Sequence, residues 1–105
     1  GAIFTVPDEL LDGITKFGSY AFYGCKLREI TVPSTVTEIN NNAFEKCENL
    51  EKINLLPTNP PTLGTDALKD TPTSLKIYVP AGAGTTYKSA SGWHNYEDKI
   101  YEMEG

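Results

Sequence analysis

Ala43-Phe44-Glu45-Lys46-Cys47-Glu48-Asn49-Leu50-Glu51-Lys52-Ile53-Asn54-Leu55 is the stretch that decides the fold, because the chain spells it twice. The earlier copy runs Ala21-Phe22-x-x-Cys25-x-Leu27-x-x-Ile30-x-Val32. A fainter third copy keeps Ala67-Leu68, Leu75, Ile77, Val79 and Pro80. Self-similarity at this period predicts stacked structural repeats rather than a conventional packed domain. Residues that recur in every copy are then expected to face a shared core.

Working outward from that phrase, a strand-like segment recurs. Phe4-Thr5-Val6-Pro7 opens the series; Ile30-Thr31-Val32-Pro33 follows 26 residues later, Ile53-Asn54-Leu55-Leu56-Pro57 another 23 on, and Ile77-Tyr78-Val79-Pro80 a further 24 on. The third of these carries one extra residue before its proline. Spacings of 23 to 26 lie within the range of leucine-rich repeats. Period-two alternation places Ile30 and Val32, Ile53 and Leu55, and Ile77 and Val79 inward. Proline ends each strand because it offers no N–H to a ladder.

After each proline comes a shorter apolar element: Ile14 with Phe17, Val36 with Ile39, and Leu63. The β-branched run Thr35-Val36-Thr37-Glu38-Ile39 predicts a short strand. The triplets Gly18-Ser19-Tyr20, Asn40-Asn41-Asn42 and Gly64-Thr65-Asp66 then predict tight or left-handed backbone. Ala-Phe-x-x-Cys reads as one helical or 3₁₀ turn, with Phe and Cys three residues apart and facing inward.

The expected architecture is thus an α+β repeat, a solenoid of short strands and single helical turns over residues 1–80. It has about three repeats, with strands near 3–6, 28–32, 51–55 and 75–79. Residues 81–105 read as a C-terminal helical cap: a helix over 84–91, a break at Ser91-Gly92 and a second turn ending near Lys99. Trp93, Tyr96 and Ile100 form one helical stripe in that reading. A solenoid needs such a cover for its last open layer, and the whole is expected to be one folding unit. Leu56-Pro57-Thr58-Asn59-Pro60-Pro61 forms a rigid extended entry into the third copy.

Composition narrows the function. A net charge of −5, with nine scattered Lys and Arg and no two adjacent, argues against nucleic-acid binding. No apolar stretch reaches membrane-spanning length. Gly1 reads as a residue left by trimming, so the lack of a visible signal peptide says little about compartment.

The residues that suggest chemistry have plainer explanations. His94 is the sole histidine and belongs to the cap, which excludes a His-based metal cluster. Asn40-Asn41-Asn42 lacks the alternating ligands of a calcium loop and reads as turn chemistry. Gly82 and Gly84 lack the Gly-Lys of a phosphate loop. Glu97-Asp98 and Glu102 with Glu104 sit in a polar tail without the cleft a glycosidase pair needs. Cys25 and Cys47 occupy equivalent places in adjacent layers. Buried free thiols are the expected state, and the layer spacing of ~4.8 Å leaves a disulfide open as an alternative.

Taken together, Leu27-x-x-Ile30-Thr31-Val32-Pro33-Ser34-x-Val36-Thr37-x-Ile39-x-x-x-Ala43-Phe44-x-x-Cys47-x-x-Leu50 resembles the BspA-like leucine-rich repeat, a class abundant in surface proteins of Bacteroidetes and some other microbes. Pro60-Pro61-Thr62-Leu63, Leu75-Lys76-Ile77-Tyr78-Val79-Pro80, Tyr87-Lys88 and Gly92-Trp93 resemble the terminal region of such arrays in gut Bacteroides proteins. Leu68 stands where the pattern has Phe, and Thr71 where it has Cys. The resemblance implies a right-handed solenoid at the finishing end of a longer array. It also implies display outside a bacterial cell and a role in adhesion, with no catalytic residues to carry over.

The expected function is recognition of a host or microbial protein or glycan. A purely structural spacer and, more remotely, a glycan-active enzyme are the rival readings. No cofactor or metal is expected. The candidate contact face is the outward strand ladder of Glu29, Thr31, Lys52, Asn54, Lys76 and Tyr78, with Thr5 as its first rung. Ile3 and Phe4, beside an open end of the core, suggest end-to-end self-association.

Overall fold

The computed structural model describes residues 13–104. The strand expected near 3–6, with Ile3, Phe4 and Thr5, lies outside the described residues. Within them the elements are β1 (Lys16–Phe17), β2 (Glu29–Val32), β3 (Glu38–Ile39), β4 (Lys52–Leu55), β5 (Thr62–Leu63), β6 (Lys76–Val79), α1 (Gly84–Ser89), a 3₁₀ segment (Trp93–Lys99) and β7 (Ile100–Glu102).

Two parallel sheets form two sides of the stack. The larger has strand order β2-β4-β6-β7 and the smaller β1-β3-β5. Equivalent positions pair in register: Ile30 with Ile53 and Ile53 with Ile77 in the large sheet, Phe17 with Ile39 and Ile39 with Leu63 in the small one. Register follows from the alternation, since a slip of one residue would turn every inward side chain outward. The strand before Pro57 ends at Leu55, and the extra residue, Leu56, is pushed out to 41% exposure.

The third side departs from the sequence expectation. Ala-Phe-x-x-Cys is not a continuous helical turn but successive tight turns, closed by Tyr23 N–H on Tyr20 C=O at 3.1 Å and Cys25 N–H on Phe22 C=O at 3.0 Å. A left-handed residue stands immediately before it in each layer, Tyr20 (φ 61°), Asn42 (φ 61°) and Asp66 (φ 56°), and another lies inside it, Gly24 (φ 67°), Lys46 (φ 62°) and Asp70 (φ 61°). Each reversal aims an N–H at the next layer. Phe22 and Gly24 donate to Ala43 and Glu45 at 2.8 Å each, and Phe44 and Lys46 to Ala67 and Lys69 at 2.8 and 2.9 Å. A helical turn would satisfy its N–H groups within its own layer. These turns direct them across layers instead, making a third hydrogen-bonded ladder.

One hydrophobic cluster fills the stack and runs into the cap, from Phe17 through Phe44, Leu50 and Ile77 to Trp93 and Ile100. No charged side chain is buried among the described residues. Leu68 is 2% exposed and fills the phenylalanine position. Thr71 satisfies its hydroxyl on Leu68 C=O at 2.8 Å.

The cap locks onto the proline-rich entry. Prolines leave that segment poor in donors, so its carbonyls need outside partners. Tyr87 Oη donates to Pro57 C=O at 2.7 Å, and Trp93 Nε1 donates to Pro61 C=O at 2.8 Å. Burial pushes the Tyr87 phenol well above its ordinary range, so it stays protonated as this donor. Gly92 (φ 82°) makes the break between helices, and a Cβ there would lie 3.2 Å from Leu63 Cβ.

The tail is not wholly helical. Ile100 is buried, yet it leaves the helical stripe and enters β7, paired in parallel with Ile77. Glu102 closes the loop back to α1 by accepting the Gly84 N–H at 2.9 Å. Backbone N–H groups of Gly82 and Gly84 hold its carboxyl below the usual carboxylate range. A depressed folded pKa stabilises the fold above the unfolded value, and that contribution is lost as pH falls through the folded pKa. Thermal melts from neutral to acid pH should therefore show wild type losing more stability than Glu102→Gln. Parallel profiles would remove Glu102 from this role.

Candidate recognition face

Outward positions of the large sheet form two rows across the strands. Glu29, Lys52 and Lys76 align in one row, and Thr31, Asn54, Tyr78 and Tyr101 in the other. All six residues expected from the sequence thus lie on one face, held in register by an inward row of Ile30, Ile53, Ile77 and Ile100. Neighbours along each row stand ~4.8 Å apart at the backbone, so their side chains interact directly.

Those interactions are polar and local. Asn54 Nδ2 donates to Glu29 Oε2 at 2.8 Å and to Thr31 Oγ1 at 3.3 Å. Lys52 Nζ lies 3.9 Å from Glu29 Oε2 and 5.1 Å from the Tyr78 ring centre. Tyr78 and Tyr101 lie 5.8 Å apart, and Lys76 Nζ is 5.8 Å from the Tyr101 ring centre. Arg28 pairs with Glu51 at 3.3 Å along the margin. Exposed ion pairs are worth ~0–1 kcal/mol and exposed cation–π contacts ~0.5–1 kcal/mol. A partner can therefore displace them at small cost. Along the charged row and its Arg28–Glu51 margin lies a shallow depression of about 350 Å³ lined by Arg28, Glu29, Glu51, Lys52, Lys76 and Tyr78.

Sequence reasoning missed Tyr101, which is 46% exposed and extends the aromatic end of the face. The signal was present: Lys99-Ile100-Tyr101 repeats Lys76-Ile77-Tyr78 after 23 residues. It also missed Arg28 and Glu51, which flank the strands. A separate aromatic pair, Tyr20 and Tyr23, stands exposed on the turn side with ring centres 5.4 Å apart.

The other residues weighed for chemistry fall into structural places. Asn42 is left-handed and bonds Glu45, while Asn41 Oδ1 accepts the Thr65 N–H at 2.9 Å. His94 is exposed on the 3₁₀ segment. Cys25 and Cys47 are unbridged thiols, Cys25 partly and Cys47 fully buried. Burial raises the Cys47 thiol to about 12, so it is protonated at neutral pH. Among the described residues no three His, Cys, Asp or Glu side chains gather as metal ligands, and no helix is long and apolar enough to cross a membrane.

Comparison with known proteins agrees with this geometry. A family model described as "BspA type Leucine rich repeat region (6 copies)" matches residues 7–91. A search of curated proteins finds no significant match.

Proposed function

Because this chain belongs to the BspA-type leucine-rich-repeat family, we propose that it is a recognition module that works outside the cell and grips a protein or glycan partner with the outward face of its large sheet. Leucine-rich repeats of this kind are typically non-enzymatic interaction or adhesion modules, usually on surfaces or extracellular. The stack supplies rigidity, so a partner meets a preorganised surface and little ordering entropy is lost on binding.

One observation carries the assignment of the face. Inward positions repeat the same aliphatic chemistry in layer after layer, while the outward rows change from Glu29 to Lys52 and from Thr31 to Tyr78. A merely solvated sheet would be served by any polar residue. Here two tyrosines and two lysines gather at one end, and aromatic side chains are favoured anchors in interfaces.

The test is binding to an array of extracellular-matrix proteins and surface glycans. Wild type should retain at least one partner that the double variant Tyr78→Ala/Lys52→Ala loses by roughly 30-fold or more, the size of a hot-spot effect. Both residues are outward, so the variant's melting temperature should stay close to wild type. Unchanged binding would make the face a spacer surface. Partner turnover by the wild-type chain would favour the enzyme reading.

A further inference from the structure

Cys25 and Cys47 do more than fill equivalent places. Their sulfurs lie 3.1 Å apart, and the backbones carrying them are already joined, one residue before Cys25 and two before Cys47, by the Gly24 N–H to Glu45 C=O bond of 2.8 Å. The turn ladder thus sets the two chains at the separation of paired strands, ~4.8 Å, inside the ~4.4–6.8 Å span that bridged Cα atoms need. No other sulfur can compete, because the third layer has Thr71 at this position and the chain contains only these two cysteines. Closing the pair requires a change of side-chain torsion and the loss of two hydrogen bonds, the one between the thiols themselves at 3.1 Å and the Cys47 thiol to Phe22 C=O at 2.9 Å.

We infer that Cys25 and Cys47 form an interlayer dithiol site that a small-molecule disulfide oxidises to an intramolecular bridge, clamping the first two described layers together. Cys25 is the partly exposed sulfur and takes the first step. Its thiolate attacks glutathione disulfide, giving a mixed disulfide at Cys25 and releasing one glutathione thiol. Cys47, after losing its proton, attacks Cys25 Sγ and expels the second glutathione. Two protein thiols are oxidised by two electrons, and one glutathione disulfide is reduced to two thiols. The bridge closes a loop between residues 22 apart, which restricts the unfolded chain and favours the fold.

The experiment incubates the reduced chain with glutathione disulfide, then unfolds it, alkylates remaining thiols and measures its mass and melting temperature. The expected product is a monomer lighter than the reduced chain by two hydrogen atoms, with no alkylation. Its melting temperature should be higher by on the order of 10 °C, and reductant should reverse both changes. Any of three results overturns the inference: both thiols alkylated, a stable glutathione adduct on Cys25 with Cys47 alkylated, or a disulfide-linked dimer. A bridged monomer that melts at or below the reduced protein's temperature would overturn the clamp.

Discussion

Trp93→Ala is expected to cost about 4–8 kcal/mol and to leave the chain largely unfolded under physiological conditions. Removing a buried aromatic ring costs ~3–5 kcal/mol, and stranding a buried acceptor adds ~1–3 kcal/mol. Trp93 is 1% exposed, packs edge-on against Tyr87 at 5.6 Å and holds Pro61 C=O through Nε1. It covers the end of the stack, so its loss opens the third layer as well as the cap. Domains of this size hold only ~5–15 kcal/mol in total. Tyr87→Phe keeps its ring and loses only the bond to Pro57, for about 1–3 kcal/mol. Urea titration followed by circular dichroism measures both, since Trp93 is the sole tryptophan and fluorescence would vanish with it. A Trp93→Ala midpoint near that of wild type would mean that the cap is dispensable.

Phe44→Ala is expected to cost about 3–5 kcal/mol, through the core of the repeat itself. Phe44 stacks on Phe22 at 5.3 Å with planes 2° apart and meets Phe17 edge-on at 5.8 Å. Truncation leaves a cavity bordered by three layers, and those layers are fixed by hydrogen bonds on three sides, so they cannot collapse into it. Phe44→Leu should cost far less, under ~1.5 kcal/mol, because the stack already accepts leucine at the equivalent place, Leu68. The same urea titration reads both. Equal losses for alanine and leucine would show that ring stacking, not volume, matters at this site.

Much of this architecture was legible because stacking forces equivalent residues into equivalent environments. The alternation at Ile30-Thr31-Val32 and its copies set the strands, their register and the outward rows together. Gly18-Ser19-Tyr20 and its counterparts marked the left-handed points, and the third residue of each triplet is the one with positive φ. The turn ladder was hidden for a physical reason. Phe22 and Cys25 are three apart in a helical turn and in a double tight turn alike, and Lys46 carries no signal that it will be left-handed. Such a residue costs local energy, offset here by the hydrogen bond that its N–H makes to Lys69.

The cap misled in a different way. Trp93, Tyr96 and Ile100 do fall at helical spacing, and helical periodicity alone cannot register that the next strand position is also at Ile100. The return of Lys-Ile-Tyr at 99–101 could have shown it. With β7 paired to β6, the cap is a disguised last repeat whose helices replace the short strand and the turn ladder. Tyr101 then joins Tyr78 as part of the candidate face, the placement that the repeated Lys-Ile-Tyr phrase carries.

On the proposed function, repeated positions of the chain pack and varying outward positions contact a partner. An alanine scan along β2, β4 and β6, with each variant read for both melting temperature and binding to a partner found on the array, tests that division. The expected result alternates with period two. Ile30, Ile53 and Ile77 variants lose stability by about 2–5 kcal/mol, whereas Thr31, Asn54 and Tyr78 variants keep their melting temperatures and lose binding. Binding that survives every outward substitution, while the inward ones still destabilise, would contradict it.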